Sequence, residues 1–233
     1  MSPESFAVMA REPAVATEER LRTGASALGV ELDPPRLAAL TTFLDLLVSW
    51  NSRLNLVGEH ERSVLVDRHL VDSLAAVPLL AGLGAKLRVA DIGSGAGLPG
   101  IPLAIAAGTR EMVLIEPRRK RASFLRAVRR AQPELGLTVI ERRGEELSDL
   151  EPAGFDAIVS RAALTDEALL GVARELLRDG GLLIAYRGAS PSPGEAPGSS
   201  NASGFGPSQV HRYLLPGPGR SFALVVRERA RFT

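Results

Sequence analysis

The sequence predicts an α/β fold: a seven-stranded, mostly parallel, doubly wound sheet, preceded by helices and closed by a C-terminal antiparallel hairpin. Three observations predict it. Apolar runs at 87–92, 112–116, 137–141, 155–160 and 182–187 alternate with helix-like stretches at 99–107, 118–131 and 166–177, the order that builds parallel βαβ units. Two late runs, 210–215 and 221–227, are joined by Pro216-Gly217-Pro218-Gly219, a turn that suits a hairpin at the sheet edge. The third observation is the stretch VADIGSGAGLPGIPLAIAA at 89–107. It reads as strand, tight loop and helix: Asp91 ends the strand, Gly93, Gly95, Gly97 and Gly100 form the loop, and Pro99 and Pro102 suit a first helical turn.

Composition sets the bounds. With 233 residues and 45% hydrophobic content, the chain has the size of one α/β domain plus an extension and can bury a real core. No apolar run reaches the roughly 20 residues a membrane helix needs. The N-terminus MSPESFAVMAREP lacks the basic segment and apolar core of a signal peptide, so a cytoplasmic location with no membrane contact is expected. The sequence contains no cysteine, which excludes disulfides, thiolate zinc sites and a cysteine nucleophile; no metal site is expected. Net charge is only +1, and only Lys86 and Lys120 among the 28 cations are lysine. A GC-rich genome accounts for much of that bias, so the clustering of arginines is informative and their number is not.

The chain divides at about residue 85. Residues 1–14, small and polar, are expected to be disordered, and 15–85 form a helical extension. Within it, a first helix is expected at 17–28, stopped by Gly29. Asp33-Pro34-Pro35 then starts a second, with a side-chain cap and prolines in the first turn. Leu37, Leu40, Leu44, Leu47, Asn51 and Leu54 recur at three- and four-residue spacing, and Phe43, Leu46 and Trp50 widen that face, so this helix should be packed on both sides. The stretch 55–80 reads as a loop followed by two short helices and carries Asn55, Arg68, His69, Asp72 and Ser73. Arg68 and Asp72 also fit an i,i+4 surface pair. Residues 86–233 form the sheet domain, interrupted at 188–209 by a segment composed mostly of Gly, Pro and Ser, read as a flexible loop.

Two cofactors compete for the glycine loop. Gly95, Gly97 and Gly100 satisfy G-x-G-x-x-G, with Glu116 about 20 residues on, as a dinucleotide site asks. The alternative frame is Asp91-x-Gly93-x-Gly95-x-Gly97, an acid at the strand tip and alternating glycines, the S-adenosylmethionine loop of seven-stranded methyltransferases. Asp91 favours the second, because an acid beside a pyrophosphate is unfavourable and one beside an ammonium is not. The terminal hairpin and the lack of a second domain point the same way. A purely structural glycine turn is the third reading.

Glu116 ends the second strand, where a carboxylate is able to accept from a ribose diol. Arg118, Arg119, Lys120 and Arg121 open the next helix against its dipole, and Arg126, Arg129 and Arg130 follow along it; phosphate binding and a solvated face explain the cluster equally well. Arg142, Arg143, Gly144, Glu145 and Glu146 follow the third strand, at adenine level. Arg161 and Arg187 sit at the ends of the fourth and fifth strands, on the edge where open sheets place ligands.

Together, DIGSGAGLPGIPLAI at 91–105, NL near Asn55, RHLVDSL at 68–74, EPRRKRASFL at 116–125, RGEEL at 143–147 and SRA at 160–162 resemble the glucose-inhibited-division protein B family. That resemblance, running from about residue 33 to 187, implies a Rossmann-like methyltransferase sheet and an enzyme that uses S-adenosyl-L-methionine to methylate guanine N7 in small-subunit (16S) ribosomal RNA, free or in the assembling small ribosomal subunit. It implies that Gly93, Leu98, Gly144, Glu145 and Arg161 contact the cofactor, with Asp91, Ser94, Gly95 and Gly97 in the same loop and Glu116 at the ribose. Arg68, His69, Asp72 and Ser73 would line or brace the cleft, and Arg161 and Arg187 would position substrate. Arg187 departs from the family's usual lysine, exchanging a point charge for a planar fork, and the low-complexity loop is a second departure.

The implied chemistry agrees with residues that are missing. Cytosine C5 methylation needs a cysteine, and adenine amino methylation carries an Asn-Pro-Pro-aromatic motif; neither is present. Guanine N7 has a lone pair and no proton, so no side chain need act as acid or base. The enzyme is expected to be a monomer. An NAD-dependent oxidoreductase and a non-catalytic RNA-binding module remain the alternatives.

Overall fold

The computed structural model describes residues 14–147, 154–161, 164–188, 204–216 and 221–231. Among them lie seven strands: β1 (Arg88–Ile92), β2 (Glu111–Ile115), β3 (Leu137–Ile140), β4 (Phe155–Arg161), β5 (Leu177–Arg187), β6 (Gln209–Leu214) and β7 (Ser221–Glu228). They form one sheet in the order β3-β2-β1-β4-β5-β7-β6. The first five strands run parallel, and β7 is antiparallel to both β5 and β6. This is the predicted mostly parallel sheet with its terminal hairpin.

Strand alternation assigns the two faces. Val89, Met112 and Leu114 join an apolar layer that includes Leu40, Phe43, Ile101 and Phe124. Ala90, Ile92, Val113 and Ile115 point into the opposite layer with Phe155, Leu169 and Leu176, as a period of two requires. The first layer is built by α1 (Ala14–Ala27), α2 (Pro34–Leu54), α6 (Gly100–Ala107) and α7 (Arg119–Ala131), the second by α8 (Asp166–Leu176). The N-terminal helices therefore share one core with the sheet.

Helix α2 begins where its sequence says. Asp33 Oδ1 accepts from the Arg36 N–H at 2.9 Å, with Pro34 and Pro35 in the first turn. It ends at Asn55, whose left-handed backbone (φ 48°) aims its N–H at the Asn51 carbonyl. Phe43 and Trp50 meet Phe124 of α7 at ring-centroid distances of 6.3 and 5.7 Å, so the apolar helix is sandwiched as predicted.

Three boundaries differ from the sequence reading. Helix α1 starts at Ala14, three residues before the expected 17. Residues 62–81 are almost continuously helical: α3 (Arg62–Leu65), a π-helical turn at Val66–Leu70, α4 (Val71–Leu74) and α5 (Val77–Ala81). Only 55–61 forms the expected loop. Strand β5 starts at Leu177, five residues before the expected 182, because Leu177 already pairs with Phe155. Gly180, at φ +73°, then lets the chain pass a register shift while its N–H donates to the Arg229 carbonyl. The expected disordered start and flexible loop fall largely on 1–13 and 189–203, outside the described residues. By Phe205 the chain is paired again, bridging Arg229, and the Gly206 N–H donates to the Glu228 carbonyl.

Candidate active site

Strand order reverses direction between β1 and β4, and the crevice beyond the carboxyl ends of such a pair is where open α/β sheets bind ligands. A cavity of about 570 Å³ opens there, lined by Ile92 and Gly93 after β1, Glu116 and Arg121 after β2, Gly144 after β3 and Arg161 at the end of β4. Four predicted site residues thus converge: Gly93, Glu116, Gly144 and Arg161.

Glu116 is held on both sides. Its Oε2 accepts from the Gly95 N–H at 2.9 Å and its Oε1 from the Arg118 N–H at 2.8 Å, and the side chain is 3% exposed. A carboxylate has about four acceptor positions. Two remain toward the cavity, the number a vicinal diol donates to. Gly144 lies so close to Ile92 that a Cβ would stand 2.9 Å from its Cγ2, which keeps that wall of the cavity flat. Glu145 follows in a short 3₁₀ turn at Gly144–Glu146.

The rest of the glycine loop shapes the site from behind. Asp91 is fully buried and accepts from the Gly100 N–H through Oδ2 at 3.0 Å, while Oδ1 has no partner among the described residues. Burial pushes its carboxyl up to about 7, against the pull of that N–H and of the Arg161 guanidinium. Ser94, 1% exposed, donates to the Asp91 carbonyl at 2.9 Å. Gly97 has φ +78° and packs on Ile101, and Leu98, 4% exposed, precedes Pro99 through a cis peptide. None of these residues lines the cavity.

The remaining candidates other than Arg187 lie in polar contacts around Asp72 and Glu59, the first of which holds Arg161. Its Nη1 donates to Asp72 Oδ2 at 3.0 Å, and Tyr213 of β6 donates to Asp72 Oδ1 at 2.6 Å. The Arg68–Asp72 surface pair is not formed: Arg68 reaches Glu59 at 3.0 Å, and Asp72 is 5% exposed. His69 Nε2 lies 2.9 Å from the other Glu59 oxygen. Burial pushes the His69 imidazole below its usual range against that hydrogen bond, so His69 is assigned as neutral with Nε2 donating. Among the described residues its Nδ1 has no partner, which an acceptor lone pair tolerates better than a buried N–H. Ser73 Oγ donates to the His69 carbonyl, and the Ser73 carbonyl accepts from Tyr186, both at 2.6 Å. Arg187 stands apart, paired with Asp166 at 2.5 Å.

Sequence reasoning did not single out Glu59, Asn51 as its organiser, or Tyr213. Asn51 accepts from the Val57 N–H and donates to the Glu59 carbonyl, at 2.9 and 2.8 Å, fixing the loop that carries Glu59. Its place on the apolar face of α2 was the available signal. Around the mouth, Arg118, Arg121 and Arg143 complete the wall. Among the described residues, Arg118, Arg119, Lys120 and Arg121 form no ion pair.

The family model for GidB, rRNA small subunit methyltransferase G, matches residues 36–196. The chain is 38% identical over 214 residues to the ribosomal RNA small subunit methyltransferase G of Aromatoleum aromaticum, covering 90% of this chain and 97% of that protein. It is 40% identical to the protein of the same name in Xanthomonas axonopodis pv. citri, over 84% and 89% of the two chains. Among solved structures, it resembles the Burkholderia thailandensis 1,6-didemethyltoxoflavin-N1-methyltransferase bound to S-adenosylhomocysteine, with a TM-score of 0.56, 17% identity and 86% and 92% coverage. A precorrin-6y C5,15-methyltransferase from Geobacter metallireducens gives 0.51, at 14% identity and 67% and 88% coverage. These two likenesses concern the fold.

Proposed function

The chain belongs to the GidB family of rRNA small subunit methyltransferase G proteins, and from that premise we propose that it methylates N7 of a guanine in 16S ribosomal RNA with S-adenosylmethionine as donor. The observation that carries this reading is Glu116: a buried carboxylate anchored by two backbone donors, with two acceptor positions left at the cavity beside Gly93 and Arg161. The family assignment removes the grounds for the NAD-linked and non-catalytic alternatives.

When bound, the donor supplies an electrophilic sulfonium methyl group. Glu116 would accept from its ribose hydroxyls, and Gly93, the residue of the glycine loop that lines the cavity, would meet its amino-acid end. Asp91 braces that loop through Gly100, and Gly144, with Glu145 next to it in the chain, would border the base. Guanine N7 offers a lone pair and loses no proton, so the protein's task is in-line placement at about 3 Å and a polar environment for the moving charge. No residue of the site is a general base.

The acceptor is recognised by charge. The donor carries no phosphate, yet Arg118, Arg121 and Arg143 line the cavity mouth and the run 118–121 makes no ion pair among the described residues. Such cations oppose the dipole of α7 and suit RNA phosphates. Arg68 and Arg187, engaged by Glu59 and Asp166, lie outside the cavity lining. The partner is free 16S RNA or the assembling small subunit, met by a monomer in the cytoplasm. No helix among the described residues is long and apolar enough to cross a membrane.

The test is to incubate the protein and labelled S-adenosylmethionine with unmodified 16S RNA and, separately, with small subunits, and to map label by N7-specific strand cleavage. A single labelled guanine is expected. Absence of transfer to both substrates, or label at a position other than N7, overturns the reading.

A further inference from the structure

We propose that Tyr213, on the C-terminal hairpin, is a positioning residue for the methyl donor: its hydroxyl fixes Asp72, and Asp72 fixes the Arg161 guanidinium at the cavity wall. This rests on the methyltransferase reading of that cavity. The three residues come from separate parts of the chain, Asp72 from α4, Arg161 from β4 and Tyr213 from β6, at sequence separations of 89 for Asp72 and Arg161 and 141 for Asp72 and Tyr213.

Asp72 spends Oδ1 on Tyr213 at 2.6 Å and Oδ2 on Arg161 Nη1 at 3.0 Å. Its residue is 5% exposed, so water is poorly placed to substitute for either donor. A carboxylate held by one donor turns about its last torsion, whereas one held by two does not. The phenol is itself held, its ring stacked on Phe222 at 6.0 Å and 27°, and α4 is secured on a second side by the Tyr186 hydroxyl on the Ser73 carbonyl. Without the Tyr213 hydroxyl, Oδ1 becomes an empty acceptor facing a guanidinium that carries five N–H donors. Arg161 then turns to take both oxygens in the bidentate geometry it favours, and withdraws from the wall it shares with Gly93 and Glu116.

A mutant cycle separates this role from a structural one. Binding of S-adenosylhomocysteine is measured by calorimetry for wild type, Tyr213→Phe, Arg161→Ala and the double variant, with thermal unfolding recorded for each. Tyr213→Phe is expected to weaken binding about 5- to 10-fold, the equivalent of one hydrogen bond, and to change it less than about 2-fold once Arg161 is alanine. Where Arg161→Ala abolishes binding, Arg161→Lys takes its place, since an ammonium lacks the fork needed to bridge both oxygens. Wild-type affinity in Tyr213→Phe, or the same loss in both backgrounds, overturns the proposal and leaves the methyltransferase reading standing. A wild-type protein that does not bind S-adenosylhomocysteine overturns both.

Discussion

Gly97→Ala tests the packing of the glycine loop more directly than any other change. The residue sits at φ +78°, and a Cβ there would stand 2.3 Å from Ile101 Cδ1, 3.0 Å from Ile101 Cγ1 and 3.2 Å from Leu125 Cδ2. Ile101 and Leu125 are both 0% exposed, so neither side chain has solvent to move into. Two costs add: about 1 kcal/mol or more for holding alanine in a left-handed backbone, and about 1–3 kcal/mol for overpacking. The sum is about 2–4 kcal/mol. Gly108 provides the control, with φ +62° and nothing within 4 Å of a Cβ, so Gly108→Ala carries the backbone cost alone, about 1 kcal/mol. Ile101→Val removes the atom at 2.3 Å. By itself it costs about 0.5–1.5 kcal/mol; in the Gly97→Ala background it should cost less than that or stabilise. Urea unfolding followed by circular dichroism at 25 °C measures all four variants. If Gly97→Ala destabilises no more than Gly108→Ala, the loop does not pack against α6 and α7 as described.

Glu116→Gln should weaken S-adenosylhomocysteine binding at least 10-fold by calorimetry, because both carboxylate oxygens face backbone N–H groups and either orientation of the amide sets an NH₂ against a donor; unchanged affinity would show that Glu116 does not hold the ribose. Asp91→Asn should alter how stability depends on pH. The Asp91 carboxyl moves from 3.8 up to about 7 on folding, so the folded state holds its proton more tightly and wild-type stability falls as pH rises through that window, by up to about 4 kcal/mol. The asparagine variant lacks this fall, so its stability relative to wild type should improve between pH 4 and pH 8, and a pH-independent difference in urea unfolding would refute the burial argument. Arg121→Ala should flatten the salt dependence of 16S RNA binding by about one unit in the log–log slope, as read by filter binding across a salt series; an unaltered slope would remove Arg121 from the RNA interface.

What the sequence disclosed was local. The Asp33 cap, Gly93, Gly95 and Gly97 of the loop and the strand expected at 87–92 are each written in fewer than ten neighbouring residues, and all three appear where expected. The meeting of Gly93, Glu116, Gly144 and Arg161 was also legible, because a parallel sheet brings every strand's carboxyl end to one edge. The π-helical turn at Val66–Leu70 was not. A run such as SVLVDRHLVDSL has helical spacing throughout, and the widened turn adds one residue without changing the residue types. The early start of β5 depends on Leu177 finding Phe155, a pairing no local pattern announces. Tyr213 was hidden for the same reason: its partner lies 141 residues away, and a tyrosine on an edge strand is ordinarily read as surface. The Arg68–Asp72 pair shows the converse, a permissible helical spacing overridden when burial turned Asp72 toward Arg161.

Trp50 is the only tryptophan in the chain, and it sits 5.7 Å from Phe124, in the joint between the N-terminal helices and the helix whose first turn borders the donor cavity. The protein therefore carries its own optical probe at that joint. Excitation at the red edge of the aromatic band reports a single indole, so its emission wavelength and quenching by iodide follow the docking of α2 on α7 with no label attached. Stopped-flow mixing with S-adenosylhomocysteine or RNA would read, in real time, whether filling the cavity is felt one turn further along α7, where Phe124 meets Trp50.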